Sequence, residues 1–194
     1  MKHTIYFNAA QNMSQLGDST VDIVVTSPPY PMIEMWDEIM GNQNPEIKTA
    51  FEENNPRQAF ELMHKELDKV WKECWRVLKE GSFLCINIGD ATRTIGGEFA
   101  LYNNNTRIIQ ACESLGFTNL PNILWKKATN APNKFMGSGM LPCGAYVTLE
   151  HEWILIFRKG SKRAYKKASE KDARRESSFF WEERNIWFSD IWEI

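Results

Sequence analysis

The residues with the most specific chemistry lie in one short run, Thr26-Ser27-Pro28-Pro29-Tyr30. An apolar stretch (Val21, Ile23, Val24, Val25) leads into it, so a strand hands over to a small hydroxyl, two prolines and an aromatic ring. Strands that end in a rigid turn place side chains at the carboxyl edge of a sheet, where open α/β folds bind their ligands. Each proline fixes its own φ and restricts the residue before it. The loop is thereby held in one shape, with carbonyls that no intrachain donor is obliged to satisfy. Such acceptors beside an aromatic ring suit a flat, amine-bearing ring.

Several elements must position this loop. Ile5-Tyr6-Phe7 is a short strand candidate, Asn12 to Leu16 a brief helix or turn, and Gly17-Asp18-Ser19 turn chemistry before a strand at Val21–Val25. Residues 41–55, rich in Gly, Asn, Pro and Glu, read as a mobile polar loop directly after the motif, where a lid or contact loop would sit. The clearest helix runs from Pro56 to Glu80, with Asn55 to cap it and Pro56 at its first position. Phe60, Met63, Leu67, Val70, Trp71, Cys74 and Leu78 recur at three- and four-residue spacing along it, and Gly81 is expected to end it. Ser82–Ile88 then reads as a buried strand closing on Gly89-Asp90, which gives a strand–helix–strand parallel crossover. A second helix is expected over Thr106–Leu115, ending at Gly116, followed by strands at Asn122–Lys126 and Glu152–Arg158. The Gly- and Pro-rich segment Ala131–Leu149 between those strands reads as loop, and residues 159–185 turn strongly polar.

Composition narrows the class. A chain of 194 residues with 43% hydrophobic and 25% charged content is one globular domain with a real core. A net charge of −2 argues against a uniformly basic nucleic-acid binder but leaves room for a local basic patch. The four cysteines (Cys74, Cys85, Cys112, Cys143) are scattered and read as reduced thiols, with no metal-ligand spacing. No stretch approaches a membrane span, and the amino terminus lacks a signal-peptide apolar region, so a cytoplasmic protein without membrane association is expected.

Ser27-Pro28-Pro29-Tyr30 after a buried strand resembles the catalytic motif of the DNA amino-methyltransferases, and its serine form is similar to the cytosine-N4 branch. The continuation Pro31-Met32-Ile33-Glu34-Met35-Trp36-Asp37-Glu38 is similar to that branch too, which lengthens a match that four residues alone would leave weak. The likeness extends through Arg76-Val77-Leu78-Lys79-Glu80-Gly81, Ile86–Asp90, Trp125-Lys126-Lys127, Glu152–Gly160 and Asp190-Ile191-Trp192. It implies an α/β fold, a partial Rossmann-like methyltransferase sheet: the catalytic half, with the cofactor-loop half missing. Residues 1–160 would form the catalytic subdomain, and 161–194 a target-recognition or partner-contact segment.

The resemblance assigns roles. Ser27, Pro28, Pro29 and Tyr30 would be catalytic, with Ser27 Oγ and the Pro28 carbonyl accepting the amine hydrogens and Tyr30 stacking on a flipped cytosine. Thr26 and Ser27 would touch the methyl donor, S-adenosylmethionine, and no metal is implied. Double-stranded DNA would be the substrate, in a restriction-modification system. Lys162, Arg163, Lys166, Lys167, Arg174 and Arg175 would meet its phosphates, although such a charge run also reads as a plain solvated loop.

Other features carry rival readings. Pro142-Cys143 is the dipeptide of the cytosine carbon-5 methyltransferase nucleophile, yet it lacks that family's surroundings and reads as a structural thiol. Gly137-Ser138-Gly139 reads as a loop rather than a phosphate cradle. Asp90 is either a pocket residue or a turn aspartate. Trp36 and Asp37 either shape the base pocket or, for Trp36, fill the core. His3, His64 and His151 read as structural.

The resemblance also exposes a gap. The family binds its cofactor through a Phe-x-Gly-x-Gly loop that, in this subgroup, follows the recognition segment; no such loop is found before Ile194, and Asn8-Ala9-Ala10 stands where an acidic residue is usual. The motif strand would then lack its central neighbour and leave apolar surface uncovered. A split enzyme completed by a second polypeptide, or a homodimer, is expected. An inactive truncated remnant, a non-catalytic DNA-binding module and an adenine-N6 enzyme are the alternatives.

Overall fold

A computed structural model describes residues 2–127, 136–137 and 141–193 of the chain. Strand β1 (Val21–Thr26) carries the motif at its end and is followed by a 3₁₀ turn (Glu34–Trp36) and helices α1 (Asp37–Gln43), α2 (Glu46–Glu52) and α3 (Pro56–Val77). The chain returns in β2 (Leu78–Ile88), parallel to β1, with Val24 opposite Leu84 and Thr26 opposite Ile86. A hairpin of β3 (Ala91–Ile95) and β4 (Glu98–Tyr102) precedes α4 (Asn104–Ser114), then come β5 (Phe117–Asn119) and β6 (Ile123–Lys126). Short strands β7 (Met136–Gly137) and β8 (Ala145–Tyr146) pair with each other before β9 (His151–Lys159). Helices α5 (Ala168–Glu176) and α6 (Trp181–Trp187) lead to β10 (Ile191–Glu193), which lies parallel to β6. The main sheet is mixed, in the order β1-β2-β9-β6-β10, with β5 also on β9.

The sheet is covered on one face. Leu84, Ile86 and Ile88 of β2 and Leu155 and Phe157 of β9 are fully buried, in one core with Met63, Trp71 and Cys74 of α3 and Ile108 and Cys112 of α4. Strand alternation turns the intervening residues to the other face. There Ile23 and Val25 of β1 are 55% and 74% exposed, Phe83 is exposed, and Cys85, Ile154 and Ile156 are only half-buried. Among the described residues β1 stands at the edge of the sheet, with apolar side chains exposed on it and a partly exposed face adjoining.

Some boundaries differ from expectation for definable reasons. Helix α3 has the expected cap, since the Asn55 side chain accepts the Gln58 N–H at 3.2 Å, but it ends at Val77 rather than at Glu80. The Arg76 and Val77 carbonyls are taken by the Ser19 and Thr20 N–H groups, both at 2.9 Å, and Leu78 turns extended. Gly81 therefore lies inside β2, in a register shift opposite β1, at φ +75°. A Cβ there would meet the Arg163 backbone at 2.7 Å, so glycine is required by both its φ and its space. Residues 41–55 are not a polar loop. Asn44 Oδ1 accepts the Glu46 N–H at 3.1 Å to start α2 after Pro45, and Met40, Ile47 and Ala50 are buried. Ile5-Tyr6-Phe7 forms no strand and is exposed, and Asn12 to Leu16 forms turns. Within the expected 131–149 loop, residues 131–135 and 138–140 lie outside the described residues, and β7 and β8 pair.

One buried polar network fixes the motif loop to this frame. Asn104, the first residue of α4, donates its amide to the Pro31 carbonyl at 3.1 Å and to the Gly89 carbonyl at 2.9 Å. With both amide hydrogens used, its Oδ1 must accept from His64 Nε2, 2.9 Å away on α3. His64 is therefore the Nε2–H tautomer, with Nδ1 buried and unpartnered among the described residues. Burial pushes its pKa down to about 3, so the ring is neutral in the fold.

Two outcomes follow. Asn104→Ala leaves two buried carbonyls and the His64 N–H without partners and should cost about 3 kcal/mol in urea unfolding. The unfolded chain binds the His64 proton below a pKa near 6.5 and the folded chain does not, so the stability from this site is full above that pH and declines as pH falls toward 3. Thermal midpoints measured between pH 7 and pH 4 should fall more steeply for the wild type than for His64→Gln.

Candidate active site

The motif loop leaves β1 at Thr26 and is pinned on both sides. Pro28 is buried and Ser27 exposed, while Thr26, Pro29 and Tyr30 are half-buried. The Tyr30 carbonyl accepts the Ile33 N–H at 3.2 Å, and Met32 is buried at φ +68° with its N–H toward Met63 Sδ at 3.4 Å. Among the described residues no donor bonds the Pro28 carbonyl. Ser27 Oγ and that carbonyl are therefore two acceptors on a fixed loop.

The Tyr30 hydroxyl is the hub of the site. It donates to Glu152 Oε2 at 3.1 Å, accepts from Asn87 Nδ2 at 2.7 Å and lies 3.3 Å from Ser27 Oγ. Asn87 Nδ2 also reaches Glu152 Oε2 at 2.7 Å, and Lys127 Nζ lies 3.5 Å from the same oxygen. The one Tyr30 proton points at the carboxylate, so between Ser27 and Tyr30 the serine is the donor. The Ser27 lone pairs are thus left for an incoming donor. Burial, aided by the Glu152 charge, raises the Tyr30 pKa to about 12, and the phenol stays protonated. Gly89 lets the ring lie close: a Cβ there would stand 3.1 Å from Tyr30 Cε2. Lys127 Nζ also sits 3.5 Å from the centre of the Trp125 ring.

Asn87, Glu152 and Lys127 are the parts of the cluster that the motif did not reveal. A signal existed for Glu152, the one carboxylate of its strand, directly before the apolar and aromatic run Trp153–Phe157. Its partners are 122 and 65 positions away in sequence, and the β1–β2 and β2–β9 pairings bring them together.

The remaining candidates lie elsewhere. Arg163 pairs with Asp22 at the amino end of β1 (3.2 Å), about 16 Å of strand away from Ser27. Arg163 and Arg174 flank the Tyr165 ring at 5.7 and 4.9 Å, with Arg175 on the same surface concavity. Lys162, Lys166 and Lys167 are exposed. The basic residues thus form a surface cluster that the fold does not join to the motif. Asp90 accepts the Asn105 N–H at 3.0 Å at the start of α4 and the Trp153 indole N–H at 3.2 Å. Asp37 forms a two-pronged pair with Arg93 at 2.9 and 2.6 Å, and half-buried Trp36 packs on the core. Cys143 is exposed in a turn, and Ser138 and Gly139 lie outside the described residues. Among the described residues no group of His, Cys, Asp and Glu could hold a metal ion, and no helix is long and apolar enough to cross a membrane.

Comparisons with known proteins follow the same lines. A family model described as DNA methylase matches residues 21–194. The type II methyltransferase M.MthZI of Methanothermobacter thermautotrophicus is 52% identical over 191 residues, covering 98% of this chain and 54% of that protein. M.MjaI of Methanocaldococcus jannaschii is 50% identical over 203 residues, covering 99% and 66%. The chain thus spans between about half and two thirds of the length of these curated relatives. Among solved structures, a candidate DNA modification methylase from Thermus thermophilus, crystallised with S-adenosyl-L-methionine, superposes with a TM-score of 0.68 at 28% identity. That match covers 95% of this chain and 65% of the other. The family match takes in the motif strand and every element that holds the Tyr30 cluster, and the chain belongs to the DNA methylase family.

Proposed function

We propose that this chain is the base-holding half of a site-specific DNA methyltransferase that methylates the exocyclic amine of a flipped cytosine with S-adenosylmethionine, within a restriction-modification system. The observation that carries the reading is the exposed Ser27 Oγ on an anchored Tyr30 hydroxyl, with the unbonded Pro28 carbonyl next to it in the chain. An exocyclic amine is a poor nucleophile because its lone pair is delocalised into the base. Two acceptors on its hydrogens favour a pyramidal nitrogen whose lone pair projects away from the ring. Fixed dipoles at the reacting atom supply much of the rate in such sites. The target amine is inaccessible in a duplex, so the base must leave the stack, with Tyr30 as its platform. The serine form of the motif favours cytosine over adenine.

The residues present fit the reacting end of the methyl donor. Thr26 and Ser27 border an open, apolar sheet face that can receive it, while the glycine after β2 is covered by the Tyr30 ring. When bound, the donor supplies an electrophilic methyl and keeps the sulfur–carbon bonding pair. The rest of its pocket, on this proposal, comes from a glycine-rich body docked along β1, whether on a second polypeptide, a second copy of the chain or a longer stretch of the same one. The uncovered Ile23, Val25 and Phe83 support this, because contiguous exposed apolar surface marks a site of interaction. The basic cluster of Lys162, Arg163, Lys166, Lys167, Arg174 and Arg175 would hold duplex phosphates away from the flipped base.

The deciding experiment is transfer of labelled methyl to duplex DNA by this chain alone and with a polypeptide carrying the glycine-rich loop, followed by nucleoside analysis. N4-methylcytosine formed in the mixture supports the whole reading, and N6-methyladenine would move the substrate. No incorporation under any condition would leave a DNA-binding module. In the active form, Ser27→Ala should slow single-turnover methylation roughly 100-fold with DNA affinity kept. Tyr30→Ala should weaken base binding by about 10- to 100-fold. Separately, replacing Arg174 and Arg175 by Ala should lower the slope of log affinity against log salt by about 2; an unchanged slope would remove them from the interface.

A further inference from the structure

We propose that Glu152 receives the proton released by the target amine, through a hydrogen-bonded chain made by Ser27 and Tyr30. The proposal rests on the amine-methylation reading and adds the fate of the proton to it. Ser27 Oγ, Tyr30 OH and Glu152 Oε2 follow one another at 3.3 and 3.1 Å. Their hydrogens all point one way: serine to tyrosine, tyrosine to carboxylate. That polarity is forced, because Tyr30 has one proton and its oxygen also accepts from Asn87. The chain begins at an atom free to accept from the base and ends at an acceptor-only group.

The proton balance closes within these residues. A methyl arriving without electrons gives the amine nitrogen a fourth bond and a positive charge. One N–H proton then passes to Ser27 Oγ, while the Ser27 hydroxyl proton moves to the Tyr30 oxygen and the Tyr30 proton to Glu152 Oε2. The N–H bonding pair stays on nitrogen, which becomes neutral. Ser27 and Tyr30 end with the same number of protons as before, and Glu152 ends as a neutral carboxylic acid. Tyr30 never has to exist as a phenolate, which suits a phenol held protonated by burial. The Glu152 side chain is 22% exposed and can return the proton to water. Lys127 Nζ and Asn87 Nδ2 converge on the same oxygen, so the carboxylate is aimed before reaction.

A tether that merely holds the Tyr30 ring would need an acceptor and nothing more. Glu152→Gln separates the two roles, since its amide oxygen still accepts from Tyr30 but takes no proton. Glu152 acts through its neighbours and is a positioning, proton-holding residue rather than one touching the base. The first test needs no methyl donor. A fluorotyrosine at position 30 of the full chain reports phenol ionisation by fluorine NMR, and Glu152→Gln should bring that ionisation to lower pH by removing the adjacent charge. An unchanged titration would break the chain at its second link and overturn the proposal. The second test uses the active assembly. Single-turnover methylation by Glu152→Gln should fall roughly 100-fold near neutral pH and recover as pH rises, with DNA affinity unchanged and Glu152→Asp intermediate. A glutamine variant at full rate would overturn the proton role and leave the amine-methylation reading intact. A wild-type assembly that transfers no methyl to any DNA amine would overturn both.

Discussion

The side-chain amide of Asn104 is the constraint on which the site's geometry rests. It joins the Pro31 carbonyl of the motif loop to the Gly89 carbonyl at the end of β2, and His64 holds it from behind. All three partners are buried groups with few alternatives, so releasing any one costs a desolvated polar atom. The consequence reaches beyond stability. Acceptors accelerate a reaction when they are aimed before the substrate arrives. The prolines remove local freedom from the loop, but they do not set its position against the neighbouring strand. The Asn104 amide does that, and it places the Tyr30 hydroxyl where Asn87 and Glu152 can take it.

The sheet divides its two faces between separate tasks. Leu84, Ile86, Ile88, Leu155 and Phe157 secure the helical side, while the residues between them form the open side. Asn87 and Glu152 belong to that open side, at the edge where β1 delivers Ser27. The polar cluster is therefore built onto the border of an apolar surface. A body docked on Ile23, Val25 and Phe83 would exclude water from the apolar ground beside the cluster. It would also lower the dielectric around Glu152 and Lys127, whose attraction strengthens as water leaves. Closure of the site and completion of the sheet would be one event.

What could be read from the sequence was what the local chain determines. Two prolines after an apolar strand, and a capped helix with three- and four-residue apolar spacing, specify shape without distant partners; β1, α3 and the parallel return of β2 followed. The end of α3 was not readable that way. Ser19 and Thr20 intercept its last carbonyls from across the fold, so Gly81 serves a strand irregularity and not a helix stop. Residues 41–55 look polar because α1 and α2 are short and bury only a few positions each, which leaves little periodicity to detect. The basic run was visible as charge, but its distance from Ser27 was not, because Asp22 holds Arg163 at the far end of the same strand.

The charge balance around Ser27 explains why a serine serves here. A carboxylate in its place would stand beside the Tyr30 hydroxyl and close to Glu152, and two such anions around one phenol would repel. A hydroxyl avoids this, since it donates to Tyr30 and keeps its lone pairs for another donor. The formal negative charge then sits one hydrogen bond further back, on a carboxylate balanced by Lys127. On the amine-methylation proposal, the base would meet neutral acceptors, and the site would keep one negative charge in reserve against the positive charge developing on the amine.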